Sequence, residues 1–285
     1  MRQPLIVLLG LTVLACAPDE EPAEPDAASA VAATAAEHAG DEPDATPISE
    51  VEPASEVIAR DVAYGSTAAR NLNGYFVLPA DVIEPAPGVI MIHEWWGLND
   101  NIRAMARRLA GEGYAVLAID LYGGQTGATA AEAERLMAAL MSDRQGALDN
   151  IRQAHGFLER NALAPRIATL GWCLGGGWSL EAGIELRDAV DAVVMFYGRV
   201  INSDGQLAPL SAPLLGIFAE LDESIPLGDV TEFRRRLRDL GKVSEVLIYS
   251  DVEHAFANPS GAAYDHEAAT EAWATALEFL DTWLR

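Results

Sequence analysis

Cys173 lies in Gly171-Trp172-Cys173-Leu174-Gly175-Gly176-Gly177, with glycines two residues before and two after it. The preceding Arg166-Ile167-Ala168-Thr169-Leu170 reads as a strand and the residues after it as a helix, so the cysteine stands at a strand, sharp turn, helix corner. A thiol projecting from such a turn can attack an acyl carbonyl, and the small neighbours keep adjoining backbone from colliding with it. The N–H of Leu174 falls at a helix N-terminus, where partial positive charge stabilises an oxyanion and favours the thiolate. The competing structural reading is a buried cysteine beside a glycine-rich packing turn. Partner residues elsewhere in the chain must decide between the two.

The elements that would carry such a turn alternate regularly after residue 57. Short β-rich runs are predicted at 57–64, 74–78, 88–93, 115–119, 167–170, 192–196, 214–218 and 246–249. Amphipathic helices are predicted at 99–111, 129–141, 146–161, 174–186, 227–240 and 266–284. This alternation implies an α/β class with a mostly parallel sheet of about eight strands and helices on both faces.

In the α/β-hydrolase arrangement the order along the chain is nucleophile, acid, base, the latter two in loops after later strands. The strand candidate ending at Phe218 opens into Ala219-Glu220-Leu221-Asp222-Glu223-Ser224, which supplies three acids. The next strand, ending at Tyr249, is followed by Asp251-Val252-Glu253-His254-Ala255-Phe256-Ala257-Asn258, which puts His254 where the base is required. The other histidines fit less well. His38 precedes the folded part, His93 ends an early strand, His155 is within a helix and His266 begins one.

Taken together, His93-Glu94-Trp95-Trp96-Gly97-Leu98-Asn99, Gly113-Tyr114-Ala115 through Tyr122, Gly171 to Gly176 and His254-Ala255-Phe256 resemble the dienelactone hydrolase family over nearly all of residues 57–285. The resemblance implies an α/β-hydrolase fold, a Cys173-Asp222-His254 triad and no cofactor. It also implies a role for Glu94, a carboxylate that takes the thiol proton when substrate arrives, and makes the N–H of Trp95 the second oxyanion donor opposite Leu174. Dienelactone-cleaving members grip a substrate carboxylate with arginines, one of them shortly after the catalytic histidine. This chain has Asn258 in that region, which argues against dienelactone itself. Arg199 is a candidate replacement contact, and Tyr122 and Tyr197 are candidate pocket residues. The expected reaction is cleavage of a small-molecule ester or lactone. A thioesterase or broad carboxylesterase on the same triad, and a non-catalytic lipid-anchored binding protein, are the alternatives.

Residues 1–15 read as a secretion signal, one basic residue followed by an apolar run too short to span a bilayer. Val13-Leu14-Ala15-Cys16 resembles a bacterial lipobox, making Cys16 a lipid-bearing residue and the only point of membrane contact. The expected location is periplasmic or cell-surface. Residues 16–56 are acidic, rich in proline and alanine, and lack lysine and arginine, so a disordered tether is predicted there, with the catalytic domain at 57–285. The net charge of −24 excludes nucleic acid as a partner, because there is no basic surface to displace phosphate counterions. The cysteine and histidine spacings call for no metal. A monomer is the expected form.

Overall fold

The computed structural model describes residues 51–68, 70–81 and 85–285, and before them Val31, Ala32, Thr34, Ala35, Ala36, His38, Asp41, Pro43 and Thr46. The leader and Cys16 lie outside the described residues. Among the described residues are eight strands: β1 (Val57–Ser66), β2 (Asn71–Pro79), β3 (Gly88–Ile92), β4 (Ala115–Ile119), β5 (Ile167–Trp172), β6 (Ala192–Phe196), β7 (Leu214–Ala219) and β8 (Ser244–Tyr249). They form one sheet in the order β1-β2-β4-β3-β5-β6-β7-β8. β1 and β2 pair antiparallel, as do β2 and β4, and every pairing from β4 across to β8 is parallel.

The central strands are apolar throughout because both faces are covered. Along β6, Val194 and Phe196 join one core cluster while Val193 and Met195 join another, as the two-residue period of a strand requires. β7 divides in the same way, with Leu215 and Ile217 on one side and Leu214 and Phe218 on the other.

The principal helices are α1 (Asp100–Gly111), α2 (Ala130–Met141), α3 (Arg144–Phe157), α4 (Leu174–Leu186), α5 (Leu227–Asp239) and α6 (His266–Leu284). Near β6 and β7, Trp273, Ala276 and Leu280 of α6 belong to the first cluster, and Val230, Phe233 and Leu237 of α5 to the second. Asn99, Thr129 and Asp265 cap their helices by accepting from the N–H three residues on. None of the helices in the described residues is long and apolar enough to cross a membrane. The whole is an α/β-hydrolase fold.

The helix expected at 146–161 differs in form. α3 begins two residues earlier and passes at Leu158–Ala162 into a wide π turn. That turn ends at Leu163, which is left-handed with φ 53°, just before Ala164-Pro165, a pair that disfavours helical backbone. A short helical turn at Asp204–Leu207, capped by Ser203, was not anticipated.

The few described residues between Val31 and Thr46 lie against the domain. Val31, Ala32 and Thr34 to Ala36 are helical, and Val31 and His38 are buried at 5 % and 1 % exposure. Asp41 accepts from the N–H of Ala262 (2.9 Å), Asn99 donates to the Pro43 carbonyl (3.0 Å), and Thr46 donates to the Pro259 carbonyl (3.1 Å). Ala35 packs with Trp95 and Trp96.

Candidate active site

The parallel register of β3 and β5 decides which residues meet. Ile92 pairs with Gly171, so Glu94 and Cys173, each two residues further on, leave the sheet side by side. Cys173 has φ 50° and ψ −117°, a backbone conformation that non-glycine residues seldom adopt, and it is the first residue before α4. The corner closes tightly. A Cβ on Gly175 would lie 2.3 Å from the Ile92 carbonyl oxygen and 2.6 Å from that of His93, and one on Gly171 would lie 2.2 Å from the Gly175 carbonyl oxygen. Only glycine allows the turn after β3 and the turn before α4 to touch. That contact puts the Trp95 and Leu174 peptides, the two donors named from the sequence, on adjoining turns.

β7 and β8 deliver the next pair. His254 donates from Nδ1 to Asp222 Oδ2 at 2.8 Å, and Asp222 Oδ1 accepts from the N–H groups of Ser224 (3.0 Å) and Ile225 (2.7 Å). Both carboxylate oxygens are thus occupied and the group is buried. Glu220 and Glu223, the other acids of this loop, are exposed. The donor atoms of Cys173, His254 and His38 all lie within 4.8 Å of one another.

Electrostatics follow from this crowding. Burial alone would push the Cys173 thiol up, but the charge and hydrogen bond of His254, with a smaller share from His38, bring it down to about 6. Burial alone would also lower His254, yet Cys173 and Asp222 hold it well above the ordinary histidine value. Each group thus favours the charged form of the other, thiolate and imidazolium. Burial raises Glu94 to about 8, with the His38 charge opposing and the Cys173 charge adding.

The model of the Dienelactone hydrolase family matches residues 72–284. This chain belongs to that family. Among its relatives is a protein of Aquifex aeolicus (strain VF5), provisionally named a carboxymethylenebutenolidase, which is 30 % identical over 221 residues covering 75 % of this chain and 94 % of that one. Another is Protein usf of Aquifex pyrophilus, 32 % identical over 205 residues, 70 % of this chain and 89 % of the other. A crystal structure from Klebsiella pneumoniae subsp. pneumoniae MGH 78578, provisionally named a dienelactone hydrolase, superposes with a TM-score of 0.73 at 25 % identity, covering 80 % of this chain and all of that one.

Within this dienelactone hydrolase family member, Asn258 has a partner that sequence reading did not supply. It donates from Nδ2 to Glu94 Oε2 at 3.0 Å, and its own Oδ1 is fixed by the N–H and hydroxyl of Ser260. His93 serves structure. Its Nδ1 donates to the Glu94 carbonyl (2.6 Å) and its Nε2 accepts from the Leu121 N–H (3.1 Å), which ties the neutral ring to both neighbouring chains. The Tyr122 ring packs on His93 at 4.7 Å, and its buried hydroxyl has no hydrogen-bond partner among the described residues. Tyr197, left-handed at φ 34°, places its ring 5.1 Å from His254. Arg199 is turned elsewhere, with its guanidinium 3.0 Å from Glu181 on α4.

The residue that sequence reading missed is His38. Its Nε2 is 3.5 Å from Cys173 Sγ, its Nδ1 donates to Asp41 at 2.6 Å, and its ring stacks on Trp95 with centroids 5.0 Å apart. The signal was a His-x-x-Asp pair inside an otherwise featureless acidic stretch, too weak to single out without the fold.

Proposed function

We propose that this protein hydrolyses a small-molecule ester or lactone through Cys173 as nucleophile, His254 as base, Asp222 as the acid that orients it and Glu94 as an auxiliary proton acceptor. The observation that carries the reading is the Asp222 to His254 hydrogen bond, 2.8 Å long, placed beside a cysteine in strained elbow geometry. The Cys173 thiolate adds to the acyl carbonyl, and the oxyanion is received by the N–H groups of Leu174 and Trp95. Collapse of the tetrahedral adduct breaks the bond to the alkoxide oxygen, which takes a proton from His254 and leaves as the alcohol. A water molecule then gives its proton to His254 and attacks the thioester, releasing the carboxylic acid and restoring the thiol. Glu94, held by Asn258 and with raised proton affinity, takes the thiol proton in the fraction of molecules that rest as neutral thiol. Cys173 is 5 % exposed, so substrate must displace the His38 imidazole from Sγ before attack.

The side chain of Asn258 is committed to the enzyme's own carboxyl group and Arg199 to Glu181, which favours substrates without a carboxylate next to the scissile bond. The proposed location is periplasmic or cell-surface, with Cys16 lipid-bearing. Hydrolysis of a short-chain p-nitrophenyl ester tests the chemistry. Cys173→Ala is expected to abolish turnover, and Asp222→Asn to lower kcat by about 10²- to 10⁴-fold. Equal rates for wild type and Cys173→Ala across ester, lactone and thioester substrates would end the proposal.

A further inference from the structure

The hydrolytic reading uses two of the three groups that surround Sγ and leaves His38 unexplained. We propose that His38, Cys173 and His254 form a binding site for a borderline-soft divalent cation of the zinc type. One sulfur and two imidazole nitrogens are the donor set that such ions prefer. Bond lengths of about 2.3 Å to sulfur and about 2.0 Å to nitrogen set tetrahedrally placed donors about 3.5 Å apart, and Sγ lies 3.5 Å from His38 Nε2. All three donor atoms fall within 4.8 Å of one another, close enough for side-chain rotation to complete the approach.

A second and independent observation concerns the far side of each ring. His38 gives its Nδ1 to Asp41 at 2.6 Å and His254 gives its Nδ1 to Asp222 at 2.8 Å, and both carboxylates are nearly inaccessible. A carboxylate on the outer nitrogen of a ligating histidine fixes the tautomer, presents Nε2 to the metal and strengthens its donation. A hydrolytic dyad needs one such pair; this chain builds two, both beside one thiol. Cation entry displaces the protons held on the two imidazoles; the thiolate then offsets one charge of the dication and the two outer carboxylates more than offset the other, leaving the buried cluster at −1. Stacking on Trp95 holds the His38 ring in place.

Three protein ligands leave one position for water. The cation would hold the thiol out of reach of an acyl carbonyl and fasten the segment carrying His38 to the domain, giving a metal-restrained form of the enzyme. The binding itself does not depend on turnover. Titration of the full-length, chelator-treated and reduced protein with Co2+ tests it. One equivalent is expected to produce thiolate-to-cobalt charge-transfer absorption together with tetrahedral d–d bands, both removed by added Zn2+. Cys173→Ala should lose the charge-transfer band, and His38→Gln should weaken binding at least about tenfold, with near-ultraviolet circular dichroism checking that each variant is folded. Absence of the band in the wild type, or a folded His38→Gln that titrates like the wild type, overturns the proposal. A wild type that binds Co2+ but cleaves no ester would overturn the hydrolytic reading alone.

Discussion

Glu94 and Asn258 form a buried pair of one carboxyl and one amide, and the amide has no charge with which to keep the carboxyl ionised. The proton affinity of Glu94 therefore depends chiefly on burial, which moves it from an ordinary 4.5 to about 8. The sign of the consequence is definite. A group whose folded-state value is raised binds its proton more tightly in the native state, so its stabilising contribution is complete below pH 4.5 and is lost as pH rises through about 8. Glu94→Gln has no such titration. Its melting temperature should diverge upward from that of the wild type between these limits, by on the order of 10 °C at pH 8, while kcat falls. Parallel melting curves across that range would show that Glu94 titrates normally.

At the scale of elements, the site is the product of sheet register and one close contact between turns. Ile92 opposite Gly171 fixes Glu94 beside Cys173, and Gly175 lets the two turns meet. The cover over the thiol has a different origin. It comes from residues ahead of β1, anchored at Asn99, Pro259 and Ala262. Deleting residues 17–46 removes both the steric cover and the His38 contribution to thiol acidity. Access should dominate, because His254 is the larger influence on the thiolate. The second-order rate of Cys173 alkylation by iodoacetamide is expected to rise at least about tenfold, and an unchanged rate would mean that the segment does not restrict the thiol.

These elements explain what the sequence could convey. Buried strands such as Ala115–Ile119 and Ala192–Phe196 are legible because covering both faces of a parallel sheet demands an unbroken apolar run. The elbow and His254 are legible because their order along the chain is fixed by topology. Choosing among Glu220, Asp222 and Glu223 required knowing which of them turns inward, and that depends on the N–H groups of Ser224 and Ile225 folding over Asp222. His38 could not be read because its setting is made by Trp95, Trp96 and the loop after His254, all distant in sequence. The ion pair of Arg199 with Glu181 could not be read because Glu181 lies on a helix with a periodicity of its own.

For the molecule as a whole, the net charge of −24 bears on how it would be held at a membrane. Residues 17–56 carry acids and no lysine or arginine, so an anionic bilayer repels them and retention must come from acyl chains alone. With Cys16 lipid-bearing, the wild type is expected in the membrane fraction and resistant to high-salt washing, and Cys16→Ser in the soluble fraction. Equal partitioning of the two would remove Cys16 from consideration as an anchor.

His38, Cys173 and His254 converge, Asp222 is bonded to His254, and β8, the strand before His254, is an edge of the sheet. Such a site has high contact order, and closing its long loops is a slow event in folding. Until β8 docks and the loop after it brings His254 to Asp222, Cys173 is an ordinary cysteine, mostly protonated at neutral pH. On the proposed reading, the thiol's reactivity is therefore withheld until the fold that covers it has formed.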